Sequence, residues 1–217
     1  MADPVRVKIC GLTGPQSVAD AVAAGAQYLG FNFYPPSPRC LTCSVARDLV
    51  ASVPAGVARV GLVVDADDDM LAALLAEVPL DMLQLHGGES PARVAEVRAR
   101  FGLPVIKAVG VATAADLTAL DAHADVADQI LVDAKPPRGA ALPGGNGLAF
   151  DWRLIADRRW SGPWLLAGGL RPENVAEAIR LTGAAQVDVA SGVESAPGVK
   201  DPARMAAFMQ AAGVGGG

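Results

Sequence analysis

Only two histidines, His86 and His123, occur in the 217 residues. A catalytic zinc site with three protein ligands would have to fill in with cysteine or carboxylate, so no metal centre is expected. Cysteine is scarce too, and Cys10, Cys40 and Cys43 do not make a secreted disulfide framework. No apolar run is long enough to cross a bilayer. The opening Met1-Ala2-Asp3-Pro4 lacks the basic and apolar regions of a signal peptide, which makes the cytoplasm the expected location. There is no basic excess: the net charge of -5 argues against nucleic acid or an anionic membrane as partner. It leaves room for an anionic small molecule, because backbone N–H groups at a helix N-terminus can hold a phosphate whatever the overall charge.

What is present is a repeated unit. Hydrophobic residues make up 52% of the chain, and short apolar runs alternate with Ala-rich amphipathic stretches across Gly- or Pro-marked turns. Strands are expected near 5–10, 27–33, 57–64, 81–85, 104–109, 129–133, 163–167 and 185–190. Helices are expected near 15–24, 44–53, 68–77, 91–101, 113–121, 152–158, 172–182 and 201–212. Ser90-Pro91 and Asp201-Pro202 read as N-caps followed by Pro at the first helical position, and Gly25 and Gly183 fall where C-caps belong. Eight strand–helix units in one chain point to a single-domain (β/α)8 TIM barrel over 1–217, with 213–217 a frayed tail. An open doubly wound sheet is the competing architecture. The longest connections, 34–43 and 134–150, follow strands, on the face where barrel enzymes keep their chemistry.

Several strand ends carry reactive side chains. Lys8 and Cys10 share a face of the first strand, with Gly11 directly after. Cys10 alone reads as a small buried hydrophobe; beside an ammonium at a barrel mouth it reads as an ionisable thiol. Asp133 ends the run Ile130-Leu131-Val132, as a catalytic carboxylate or as a helix cap or loop hydrogen-bonder. The Gly-rich segment 144–147 has the character of a ligand clamp. Gly168-Gly169 and Ser191-Gly192 close strands seven and eight, where many barrels bind phosphate. Arg39, in Pro36-Ser37-Pro38-Arg39, is either a solvated surface residue or a guanidinium stiffly aimed at a carboxylate. Gln84 and His86 share a face at the end of strand four; His86 reads as lining a site and His123 as surface. The Cys40–Cys43 spacing lacks a second ligand pair, and Asp65–Asp69 reads as an acidic helix start rather than a metal loop.

In their order and spacing these motifs match one family. The chain resembles the phosphoribosylanthranilate isomerases through KICGLT at 8–13, SPR at 37–39, QLHG at 84–87, LVDAK at 131–135, GGNG at 144–147, FDW at 150–152, AGGL at 167–170 and DVASGVE at 188–194. The resemblance implies a cofactor-free Amadori rearrangement in tryptophan biosynthesis. The substrate would be a phosphorylated aminosugar, N-(5-phosphoribosyl)anthranilate, and the product 1-(2-carboxyphenylamino)-1-deoxyribulose 5-phosphate. By matching motifs Cys10 would be the general base and Asp133 the general acid, with Arg39 pairing the anthranilate carboxylate. Lys8, Gln84, His86, Gly145, Gly147 and Asp188 would contact the substrate, and Gly168, Gly169, Ser191 and Gly192 the phosphate. Two positions depart from the family pattern: Ala190 stands where a first serine is usual, and Asn146 where Thr or Ser is common. Backbone amides can serve there instead. A histidine-pathway aminoaldose isomerase would typically carry Asp in place of Cys10 and bind two phosphates. A metal-dependent epimerase would need more histidines. An anion-binding barrel without turnover is the non-enzyme alternative. With no apolar motif suited to a dimer seam, a monomer is expected.

Overall fold

The computed structural model describes residues 4–135, 144 and 147–213. Gly145, Asn146 and the tail beyond Gly213 lie outside them. Eight parallel strands form a closed barrel in sequence order. They are β1 (Arg6–Cys10), β2 (Tyr28–Asn32), β3 (Ala58–Val63), β4 (Met82–Leu85), β5 (Val105–Val111), β6 (Gln129–Ala134), β7 (Trp164–Leu166) and β8 (Gln186–Val189). Around them run α1 (Pro15–Ala23), α2 (Cys43–Ala51), α3 (Asp68–Glu77), α4 (Pro91–Phe101), α5 (Leu117–Ala124), α6 (Val175–Thr182) and α7 (Pro202–Ala211).

Strand alternation divides the apolar residues between two cores. Tyr28, Val60, Met82, Ile106, Ala108, Leu131, Leu165 and Ala167 fill the barrel interior. Alternate residues such as Val7, Ile9, Val105 and Val187 pack outward against buried helix faces, including Val18 and Ala21 of α1 and Val94 and Val97 of α4. Each such buried side chain contributes roughly 1.5–3 kcal/mol, so the outer layer is the larger store of stability.

The expected punctuation is in place. Ser90 Oγ accepts from the Arg93 amide at 3.2 Å, Pro91 opens α4, and Gly102 closes it in the left-handed region. Asp201 caps α7 through the Arg204 amide at 3.0 Å. Gly183 ends α6 with φ 67°, and Gly25 follows α1 with φ 88°. Asp67 of the acidic run caps α3, accepting from the Met70 amide at 2.8 Å, and Asp68 meets Arg93 and Arg100. Thr42 caps α2, so Cys43 is simply its first helical residue.

Three expectations need correction. The helix expected over 152–158 is a single 3-10 turn, Trp152–Leu154. Asp151 caps that turn, and beyond it Trp160 stacks on Trp164 at the start of β7, ring centroids 4.2 Å apart. A small antiparallel hairpin, β9 (Glu194–Ala196) and β10 (Val199–Lys200), follows β8 where none was expected. His123 is not a free surface residue: its Nε2 lies 3.0 Å from the Glu89 carbonyl, tying α5 to the loop after β4.

Candidate active site

The parallel register of β1 and β8 sets Lys8 beside Asp188. Their side chains meet at 2.8 Å, with Lys8 fully buried. Burial would lower the Lys8 pKa, but Asp188 and Cys10 together outweigh it and hold it above the ordinary lysine value. Lys8 therefore stays an ammonium beneath the site. It was expected to touch substrate, yet it does not line the cleft; the strand period gave its face correctly but not its depth. Asp188, the register partner of Lys8 on β8, and Cys10, two residues further along β1, do line the cleft.

The cleft opens at the C-terminal mouth, lined by residues from the ends of the strands and the loops that follow them. Asp133, at the end of β6, is held from two sides. The Ala134 amide donates to Oδ1 at 2.8 Å, and His86 Nε2 lies 3.2 Å from Oδ2. Gln84 Nε2 meets His86 Nδ1 at 2.8 Å, so β4 fixes the imidazole that faces the acid. Gly144 roofs this pair; a methyl group there would come within 2.4 Å of His86 Nε2.

In the ring of strands, β7 and β8 lie between Asp133 on β6 and Cys10 on β1. The loops after these two strands are joined tightly. A Cβ on Gly192 would fall 1.9 Å from the Leu170 carbonyl oxygen, so only glycine lets the loops touch. Asn174 braces the first loop, donating to the Gly169 carbonyl at 3.0 Å and accepting from the Arg171 amide at 2.9 Å. Among the described residues, the amides of Gly168 and Gly169 donate to no protein acceptor. Gly147 and Leu148 return over these loops, Gly147 beside Ser191 and Leu148 against Gly169.

Arg39 lines the cleft from the loop after β2. Its Nε and Nη2 donate to the two oxygens of Glu194 at 2.7 Å each. That bond, with lesser help from nearby charge, raises the guanidinium pKa further against burial. Of the two readings of Arg39, the solvated one is overturned: the side chain is buried, with one edge on Glu194. Asn32, Tyr34, Leu62 and Val64 add a mixed wall on the same side.

Of the expected site residues, the cleft gathers Cys10, Asp133, Arg39, Gln84, His86, Asp188, Gly147, Gly168, Gly169, Ser191 and Gly192. Gly145 lies outside the described residues. Glu194, Lys200, Asn32 and Tyr34 received no expected role. Asn32 ends β2 on the interior face and could have been found by period; Glu194 and Lys200 could not, since their partner lies far away in the chain.

Comparison with known proteins agrees with this geometry. Residues 7–211 match the family model described as N-(5'phosphoribosyl)anthranilate (PRA) isomerase. An N-(5'-phosphoribosyl)anthranilate isomerase of Cereibacter sphaeroides is 65% identical over 208 residues, covering 96% of this chain and 98% of the relative. The crystal structure of phosphoribosyl anthranilate isomerase from Thermotoga maritima superimposes with a TM-score of 0.86 at 37% identity, covering 96% of this chain and 98% of that one. A phosphoribosyl anthranilate isomerase crystallised with reduced 1-(o-carboxyphenylamino)-1-deoxyribulose 5-phosphate gives a TM-score of 0.83 at 36% identity, with the same coverage. A barrel mouth of this make, matched end to end, places the chain in the N-(5'-phosphoribosyl)anthranilate isomerase family.

Proposed function

We propose that Cys10 and Asp133 are the base and acid with which this chain performs its isomerisation. The chain is a phosphoribosylanthranilate isomerase of tryptophan biosynthesis. It converts N-(5-phosphoribosyl)anthranilate to 1-(2-carboxyphenylamino)-1-deoxyribulose 5-phosphate. The observation that carries the assignment is topological: a thiol and a carboxyl flank the two joined loops after β7 and β8. A phosphate on those loops leaves the sugar between the two groups.

The chemistry follows from that pose. Protonated Asp133 gives its proton to the ring oxygen as the C1–O bond breaks, and the nitrogen lone pair forms the iminium. The Cys10 thiolate then takes the C2 proton, and that electron pair moves into C1–C2 to give the enolamine. Ketonisation returns a proton to C1 as the C2 hydroxyl loses its own. No electrons enter or leave, so the scheme needs no redox cofactor. Gln84 and His86 hold Asp133; Asp188, set by Lys8, faces the amine or sugar oxygens. Phosphate rests on Gly168, Gly169, Ser191 and Gly192, with Gly147 over it, chiefly through backbone N–H groups. The aryl carboxylate meets the open edge of Arg39.

We place the protein in the cytoplasm as a single-domain monomer. Among the described residues, the exposed large apolar side chains are Val45 on α2, Met70 on α3, Leu148 in a loop and Val199 at the hairpin.

Cys10→Ala and Asp133→Asn test the assignment. Each should lose about a hundred- to ten-thousand-fold in turnover, the usual share of one acid–base group. Affinity for a reduced product analogue should hold. Near wild-type turnover in either variant refutes its role.

A further inference from the structure

The hairpin β9–β10 has no part in the acid–base scheme, yet it ends in two buried charges behind Arg39, which lines the cleft. Glu194 and Lys200 are its paired ends. The Glu194 carboxylate takes four donors: Arg39 Nε and Nη2 and Lys200 Nζ, each at 2.7 Å, and the Gly198 amide at 3.2 Å. Lys200 also donates to the Ala190 carbonyl at 3.0 Å. Its side chain is fully buried and that of Glu194 nearly so. The hairpin turn is tied back to the loop after β1, Thr13 Oγ1 donating to the Gly198 carbonyl at 3.0 Å.

Arg39 is fixed along its whole length by this frame. Its stem lies over Gly11, where a Cβ would meet Cδ at 2.3 Å. Its Nε–Nη2 edge is spent on Glu194. The end-on edge, Nη1 with the second hydrogen of Nη2, remains for a ligand. The charge count points the same way. Within this trio Arg39 and Glu194 cancel and Lys200 adds one positive charge; burial lowers the Lys200 pKa, and Glu194 and then Cys10 oppose that.

We propose that Glu194 and Lys200 are positioning residues that aim the free edge of Arg39 and leave it a net positive charge, so that the site selects substrates bearing a carboxylate on the aryl group. This rests on Arg39 as the partner of that carboxylate. Glu194 sets direction and Lys200 sets charge, and neither touches substrate.

Two probes separate the possibilities: reduced 1-(2-carboxyphenylamino)-1-deoxyribulose 5-phosphate and the same molecule without its carboxyl. Their affinities are titrated by calorimetry against wild type, Arg39→Ala, Glu194→Gln and Lys200→Met. Wild type should prefer the carboxylated probe, and Arg39→Ala should abolish the preference. Glu194→Gln and Lys200→Met should each lose about tenfold or more for the carboxylated probe, the worth of a charged hydrogen bond, with affinity for the other unchanged. If Arg39→Ala keeps the preference, the Arg39 reading itself fails. If Arg39→Ala loses it while the other two retain it, or if they weaken both probes alike, the positioning proposal is overturned. Should one of the two fail to fold, the remaining variant decides by the same preference ratio.

Discussion

Two buried ion clusters flank the barrel mouth, and they differ in what they leave over. Behind β4 and β5, Lys107 donates to the Gly87 carbonyl and to Glu89 Oε2 at 2.7 Å each, and to the Leu85 carbonyl at 3.4 Å. Glu89 in turn accepts from the amides of Asp65 and Gly87, each at 2.9 Å. All three ammonium protons find acceptors, and neither side chain lines the cleft. This cluster is closed: it staples the loop that follows His86. The Arg39–Glu194–Lys200 cluster adds a guanidinium to a lysine–glutamate pair and keeps one donor edge unspent. Buried ion pairs are weak evidence of stability in themselves, so the test is what each leaves for a ligand.

The closed cluster should break most expensively in stability. Lys107→Met strands Glu89 in a buried site and should cost about 3–5 kcal/mol in urea unfolding. The preference for a carboxylated probe should stay as in wild type. A stable variant with altered preference would erase the distinction between the two clusters.

Acid should weaken both at once. Burial alone would raise Glu89, but Lys107 and amide hydrogen bonds outweigh it and hold its pKa below the ordinary value. At Glu194 burial is likewise outweighed, first by the Arg39 hydrogen bond and then by Lys200. Carboxyls with depressed folded pKa values contribute stability that is complete above their unfolded pKa and lost as pH falls through the folded one. Unfolding free energy should therefore change little from neutral pH to about pH 5 and drop below about pH 4.3, the unfolded value for Glu. In Lys107→Met the drop should be shallower, because the Glu89 share is gone; an unchanged slope would count against the pair.

The smallest effect belongs to the cap beside Glu89. Ser90→Ala removes one acceptor at the start of α4 and should cost about 0.5–2 kcal/mol by thermal unfolding. A loss matching that of Lys107→Met would mean the cap, not the ion pair, holds this loop.

The contrast also explains what could be read from the chain alone. Cys10, Asp133, Gln84 and the β7 and β8 loops were legible because each sits at the end of a short apolar run, and a closed barrel brings such ends together. Caps were legible because they are local: Ser90 and Asp201 act within three residues. Arg39 and Glu194 are 155 positions apart, and no periodicity or spacing links them. Lys8 was put on the right face but too high, because alternation gives direction and not depth. The segment 152–158 has a helical pattern but forms only the 3-10 turn Trp152–Leu154, local propensity being a weak guide where tertiary context decides.

The division of labour between thiol and carboxyl is tested most directly by substrate deuterated at C2, compared with unlabelled substrate in Cys10→Ser and Asp133→Asn. With serine in place of the thiol, proton abstraction limits turnover and a primary isotope effect should emerge. With asparagine, ring opening limits turnover and the effect should be smaller. A Cys10→Ser variant that keeps near wild-type turnover and shows no isotope effect would make Cys10 a packing residue and contradict the mechanism.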